Sequence, residues 1–180
     1  MKSYVDIRLV PDTEFTSAAV LEKLWYRLHH YIVESGARLA VSFPGHHVKG
    51  LGDVMRVHGE SAALVALVAS RFAKGVYDYI DVGNVSDAPA DAQHCVVSRA
   101  HFKTNAERIR RRAAKRGHDI THEKYSDERE QKPDLPYCRI FSKSSQQMTY
   151  RFIRQTVVDV PMQGEFDTFG LSRGASVPFF

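Results

Sequence analysis

Tyr4-Val5-Asp6-Ile7-Arg8-Leu9-Val10 alternates apolar and polar side chains with the two-residue period of a half-buried strand. A helical run follows. Thr16 is placed to cap it, Phe15 and Val20 have the spacing of a hydrophobic staple, and Gly36 can end it. Val20/Leu21, Leu24, Leu28 and Tyr31/Ile32 fall on one stripe of that helix. Arg38 to Phe43 and Val54 to His58 read as strands on either side of a Pro/Gly/His loop. Ser61 to Phe72 reads as a second apolar helix and Tyr79 to Val82 as a fourth strand. The order β-α-β-β-α-β is that of the ferredoxin-like arrangement. That fold serves unrelated activities, so function has to be sought in particular side chains.

Asn84 to Gln93 is polar, contains a proline and marks the expected boundary between domains at 1–86 and 93–180. Beyond it the pattern predicts a strand around His94 to Phe102, a basic helix and a polar stretch from His118 to Lys132. A strand pair then spans roughly Tyr137 to Ser142 and Thr149 to Val158. A tail containing Phe169-Gly170-Leu171-Ser172-Arg173-Gly174 closes the chain. The fold class is therefore α+β, an N-terminal ferredoxin-like domain followed by a smaller mixed domain. No internal repeat is present.

The basic helix, 105–116, concentrates the charge of the chain. Thr104 and Glu107 have capping-box spacing, and Gly117 is a natural C-terminal stop. Arg108, Arg111, Arg112, Lys115 and Arg116 fall side by side on one face, with Ala106, Ile109 and Ala113 opposite. From Arg99 to Arg116 there are eight Lys/Arg against one acid. That stretch carries +7 in a chain of net +4, so the remainder sums to about −3. Cations focused on one face, without interleaved acids, suit a polyanion such as a nucleic-acid backbone.

Other function classes find little support. No apolar run approaches the ~20 residues that span a bilayer, and the N-terminal residues lack the apolar core of a signal peptide. No membrane partner is expected. Cys95 and Cys138 are too few and too far apart for a disulfide framework, which points to a reducing cytoplasm. His118 and His122 have the spacing of a zinc pair, but neither a glutamate motif nor paired cysteines accompany them. Asp53, Asp81 and Asp134 form no Mg²⁺-holding pattern, so neither a metal nor any other cofactor is expected. Phosphate-binding glycine loops and an RNP1-type aromatic motif are also missing. Among the nine histidines, His29 stands out. It lies four residues after Trp25 at the edge of the apolar stripe, whereas His30 falls with Tyr26 and Arg27 on the polar side. A histidine held by packing with a reachable ring suits a general base.

Taken together, the chain resembles the CRISPR-associated endoribonucleases of type I-F systems, which cut precursor repeat RNA. The resemblance rests on Tyr4-Val5-Asp6-Ile7-Arg8-Leu9 with Pro11-Asp12, Leu28-His29, Val41-Ser42-Phe43-Pro44, Val97-Ser98-Arg99 and the Asn105 to Arg116 helix. It continues through Asp134-Leu135-Pro136, Ser142-Lys143-Ser144, Phe152-Ile153-Arg154, Gly170-Leu171-Ser172-Arg173-Gly174 and Val177-Pro178-Phe179-Phe180. It implies a metal-free reaction in which a ribose 2′-OH attacks the neighbouring phosphate at the base of the repeat hairpin. His29 matches the proton acceptor, Ser142 the serine that positions the ribose, and Ser144 an assisting residue. Arg112, Lys115 and Arg116 match phosphate-gripping positions, with Arg108 and Arg111 as additions. Arg99 and His101 lie where the family reads base edges, His101 replacing a more usual glutamine. The implied partners are the CRISPR repeat hairpin RNA, retained after cleavage, and other subunits of a CRISPR effector complex; alone, the chain is expected to be a monomer.

Two positions depart from the family pattern. The active-site tyrosine falls at Phe169, which carries no hydroxyl to donate a hydrogen bond. Thr149 occupies the place of the aromatic on which the terminal base pair stacks. Tyr150 is the neighbouring candidate, although alternation points it to the opposite strand face. The loss at Phe169 keeps a second reading open, an RNA-hairpin clamp and assembly subunit that cuts weakly or not at all. A DNA-binding regulator using the basic helix is a third.

Overall fold

The computed structural model describes residues 1–100, 114–117, 134–142 and 146–180, with Ser142 by its backbone alone. Met1–Ala100 and Leu135–Phe180 form one compact unit, and His101–Asp134 belong to a second. Among its described residues the first unit contains two α-helices and antiparallel sheets. Its N-terminal half runs β1 (Ser3–Leu9), α1 (Ser17–Ser35), β2 (Ala40–Ser42), β3 (Val54–Gly59), α2 (Ser61–Ala69) and β4 (Ile80–Val82). The sheet order is β2-β3-β1-β4, every pairing antiparallel. Thr16 caps α1 through its hydroxyl, which accepts the Ala19 N–H at 3.3 Å. At the other end Gly36 is left-handed (φ 66°) and donates its N–H to Ile32, a conformation most side chains resist.

The Asn84–Gln93 segment, expected as a connection, holds a short strand of its own. In β5 (Ser86–Asp87), Ser86 and Asp87 pair with Tyr4 and Ser3, and the Ser3 hydroxyl donates to Asp87 Oδ1 at 2.7 Å. Side-chain patterning misses such a strand because its backbone bonds and one hydroxyl, not an apolar face, hold it. The second sheet takes β6 (Gln93–Ala100), β7 (Tyr137–Ser142), β8 (Gln147–Val158) and, from the tail, β11 (Val177–Phe179) in the order β11-β6-β8-β7. Between them β9 (Glu165–Phe166) and β10 (Ser172–Arg173) make a small pair.

Both sheets share one core. Leu24, Trp25 and Leu28 of α1 are fully buried together with Val5, Ile7, Met55 and Val57, and the cluster continues into Cys95, Val97, Cys138, Ile140 and Ile153. Burial of each large aliphatic chain contributes about 1.5–3 kcal/mol. Gln155 of β8 fastens β2 to the second sheet: its amide oxygen accepts the Phe43 N–H at 2.7 Å, and its NH₂ donates to the Phe43 carbonyl at 3.0 Å. Arg56 ties down the chain end, gripping Asp6 at 2.7 and 2.9 Å, donating to the Phe180 carbonyl and packing against the Tyr4 and Phe180 rings. Among the described residues no helix is long and apolar enough to cross a membrane.

His58 is fully buried on β3, with Nε2 2.8 Å from the Ser42 hydroxyl and Nδ1 unpartnered. Burial, aided by the Arg56 cation, lowers its pKa from 6.5 to about 3. The unfolded chain therefore takes up a proton that the folded chain refuses. The stability contributed by the neutral ring is complete above pH 6.5 and drains away as the pH falls from there toward 3. The loss reaches about 1.4 kcal/mol per pH unit. Urea unfolding at about pH 7.5 and about pH 5 measures it. A His58→Gln variant is expected to show a shallower decline than wild type, and equal declines would place the acid sensitivity elsewhere.

Candidate functional site

Trp25 and His29 stand one turn apart on α1 and both meet the loop 167–171. The Trp25 indole N–H donates to the Phe169 carbonyl at 2.8 Å. The His29 ring lies flat on the Phe169 ring, with centroids 3.8 Å apart and planes 7° from parallel. Its Nδ1 is 2.9 Å from the Thr168 carbonyl oxygen. A carbonyl can only accept, so Nδ1 carries the proton and the neutral ring keeps its lone pair on Nε2. Burial is the main influence on this half-buried imidazole and holds its pKa below the usual 6.5. The Thr168 carbonyl works against that shift, His30 and the Arg151 cation add to it, and Asp167 opposes it. His30, the other member of the doublet, packs edge-on against Tyr26 on the polar side.

The loop is organised by Asp167. Its Oδ1 accepts the N–H groups of Phe169 at 2.8 Å and Leu171 at 3.0 Å, and its backbone exchanges bonds with Gly170 and Leu171. Such an Asx turn is a local device of short acidic side chains. Gly170 has φ 72°, and its carbonyl accepts the Val41 N–H at 3.0 Å. A Cβ at Gly170 would lie 3.1 Å from the Val41 nitrogen, so both conformation and space favour glycine. The Phe169 ring has a second neighbour: the Arg151 guanidinium carbon lies 3.6 Å from its centroid.

The structure thus brings His29 and Phe169 together. Arg99 lies on β6 opposite Ile153, close enough to Arg151 for the two cations to repel. Ser142 ends β7 opposite Gln147. Tyr150 pairs with Arg139, about half its surface is open, and its ring sits 5.3 Å from that of Tyr137. Thr149, opposite Ile140, takes the alternate face, as strand alternation requires. Lys115 and Arg116 are exposed, and Gly117 is left-handed (φ 73°) with its N–H on the Ala114 carbonyl, as expected of a helix stop. His101, Arg108, Arg111, Arg112 and Ser144, like the His118/His122 pair, lie outside the described residues. Cys95 and Cys138 are free, buried thiols; burial pushes Cys95 up to about 12 and Cys138 further, so neither is a nucleophile near neutrality. Sequence reasoning missed Asp167, Thr168 and Arg151. Asp167 ahead of Thr-Phe-Gly carried a readable turn signal, whereas Arg151 shares a mixed strand face with Thr149, Ile153 and Gln155 and carried none.

Comparison with known proteins places the chain in a family. Residues 4–180 match the family model described as CRISPR-associated protein (Cas_Csy4). The chain belongs to the Csy4 family. A CRISPR-associated endonuclease Cas6/Csy4 from Escherichia coli (strain UTI89 / UPEC) is 37% identical to it, with both chains covered in full. The protein of the same name from Pseudomonas aeruginosa (strain UCBPP-PA14) is 36% identical, again over the whole of both chains. The His29–Phe169 stack is thus the candidate centre of a Csy4-family protein.

Trp25 is the one tryptophan in the chain, so its fluorescence reports on this loop. Gly170→Ala is expected to cost about 1–3 kcal/mol through its positive φ and its crowding of Val41. The variant should unfold at lower temperature and shift the Trp25 emission. An unchanged emission would mean that the loop is not pinned through this glycine.

Proposed function

We propose that this protein is a metal-independent endoribonuclease that cleaves precursor CRISPR RNA at the base of the repeat hairpin and remains bound to its product. The observation that carries the reading is His29: a half-buried imidazole, stacked on Phe169 and anchored through Nδ1, with Nε2 left as a base of lowered proton affinity. Its relatives are named CRISPR-associated endonucleases, and the chain's positive charge is gathered at 99–116. The sheet order β2-β3-β1-β4 with the β-α-β-β-α-β succession favours the ferredoxin-like arrangement for residues 1–86, and 93–180 is assigned to RNA binding.

In this reaction Nε2 of His29 takes the proton from the ribose 2′-OH. The oxygen attacks the adjacent phosphorus, the bond to the 5′ oxygen breaks, and that oxygen leaves with a proton from water. The products are a cyclic phosphate and a 5′-hydroxyl. A base of this kind acts only while deprotonated, so a depressed pKa keeps it competent at neutral pH. Ser142 and Ser144 are assigned to holding the ribose in line, which is catalysis by orientation. Arg108, Arg111, Arg112, Lys115 and Arg116 grip the phosphates of the stem, Arg99 and His101 read base edges at its foot, and Tyr150 offers an exposed ring for stacking. The complex with product gives other effector subunits an RNA end on which to assemble.

End-labelled repeat RNA in EDTA provides the test. Wild type is expected to cut and His29→Ala to bind the hairpin without cutting; sensitivity of wild type to EDTA would defeat the metal-free mechanism. Binding without cutting by both proteins would favour the clamp reading, which the missing hydroxyl of Phe169 supports. Because His29 titrates below its usual 6.5, the acid limb of kcat/KM should lie below that pH, with activity lost as the ring protonates.

Lys115→Ala with Arg116→Ala should weaken hairpin binding and reduce the dependence of log K on log salt by about two phosphate contacts. An unchanged salt slope would make the exposed end of this segment a solvated surface.

A further inference from the structure

We infer that Arg151 is a positioning residue for His29: its guanidinium backs the Phe169 ring and adds to the bias toward the neutral imidazole on the opposite ring face. The inference rests on the reading of His29 as the base. Arg151 faces Cys138 across the β7–β8 ladder and shares a strand face with Ile153 and Gln155, both of which point into the protein. A cation on an inward face loses hydration and needs compensation. Among the described residues its Nε is buried without a hydrogen-bond partner, and the Asp167 carboxylate is near enough to favour its charge. Its guanidinium carbon lies over the face of Phe169, 3.6 Å from the ring centroid. Two groups cannot share one ring face at 3.6 and 3.8 Å, so guanidinium and imidazole take opposite faces of Phe169.

The order of the stack has a chemical consequence. An aromatic ring attracts a cation over either face, but a second cation behind the same ring meets the charge of the first. With Arg151 permanently charged, the neutral imidazole is the form that stacks without repulsion. The other groups facing His29 are His30 from its own helix, which acts in the same sense, and Asp167 and the Thr168 carbonyl from the loop, which oppose it. Arg99, on the neighbouring strand, adds a second cation to the Arg151 side. Arg151 also confines the ring against which His29 is oriented, so its removal loosens the geometry as well as the charge balance.

The test is an NMR titration of the His29 imidazole in the full chain, assigned against His29→Ala, for wild type, Arg151→Met and Arg151→Lys. The Met variant keeps bulk without charge and is expected to titrate at higher pH; the Lys variant keeps the charge and should titrate near wild type. Trp25 emission tests whether the loop remains packed. A Met variant titrating like wild type overturns the proposal, and so does a Lys variant that shifts as far as Met with Trp25 emission unchanged. In cleavage assays the Met variant is expected to move the acid limb upward and to cut about tenfold more slowly below it, with hairpin affinity unchanged. The titration needs no substrate, so a wild-type protein that fails to cut would refute the nuclease reading while leaving the link between Arg151 and His29 to stand or fall on its own data.

Discussion

The hydrogen bond from the Trp25 indole to the Phe169 carbonyl joins the first helix to a loop 144 residues later. Around it the candidate site assembles. The same loop offers the Thr168 carbonyl to His29, and Asp167 holds its turn by accepting two loop N–H groups. Neither the helix nor the loop makes the candidate site alone: α1 supplies an imidazole and 167–171 supplies its orientation. Contacts so distant in sequence carry the full entropy of closing the intervening chain, so they hold only where burial offsets it. Trp25, Leu24 and Leu28 are fully buried beside this junction, which supplies that burial.

The sequence made the scaffold readable where periodicity is strong. The strand at Tyr4–Val10, the helix between Thr16 and Gly36 and the ladder strands at Tyr137–Ser142 and Thr149–Val158 all recur as β1, α1, β7 and β8, with ends shifted by a few residues. The short strands β5, β9 and β10 have two residues each and no face to alternate, so only their partners define them. His29 was legible because it sat at the edge of an apolar stripe. Phe169 became legible only by resemblance, since nothing in a lone Phe-Gly pair says which helix it will meet. Arg151 could not be read: that it shares a ring with His29 depends on a strand register and a loop from different parts of the chain.

Charge is distributed with a similar logic. The positive excess of the chain is concentrated at 99–116, while the remainder is slightly acidic. Within the core-facing sheet, however, Arg151 and Arg99 form a small cationic locus of their own. That locus sits behind the Phe169 ring, on the face away from His29, so its field reaches the imidazole through the ring.

The phenylalanine at 169 sharpens the division of labour in the proposed reaction. A tyrosine there would add a donor at the ring edge, whereas the ring face is the same in both residues. The contacts that fix His29 use that face and the loop backbone: the parallel stack, the Thr168 carbonyl and the turn closed by Asp167. None of them requires a hydroxyl. Orientation and protonation state of the base are therefore separable from whatever a ring-edge donor contributes. A chain with phenylalanine at 169 and with Asp167, Thr168 and Gly170 in the loop has every contact that orients the His29 ring and leaves Nε2 its lone pair.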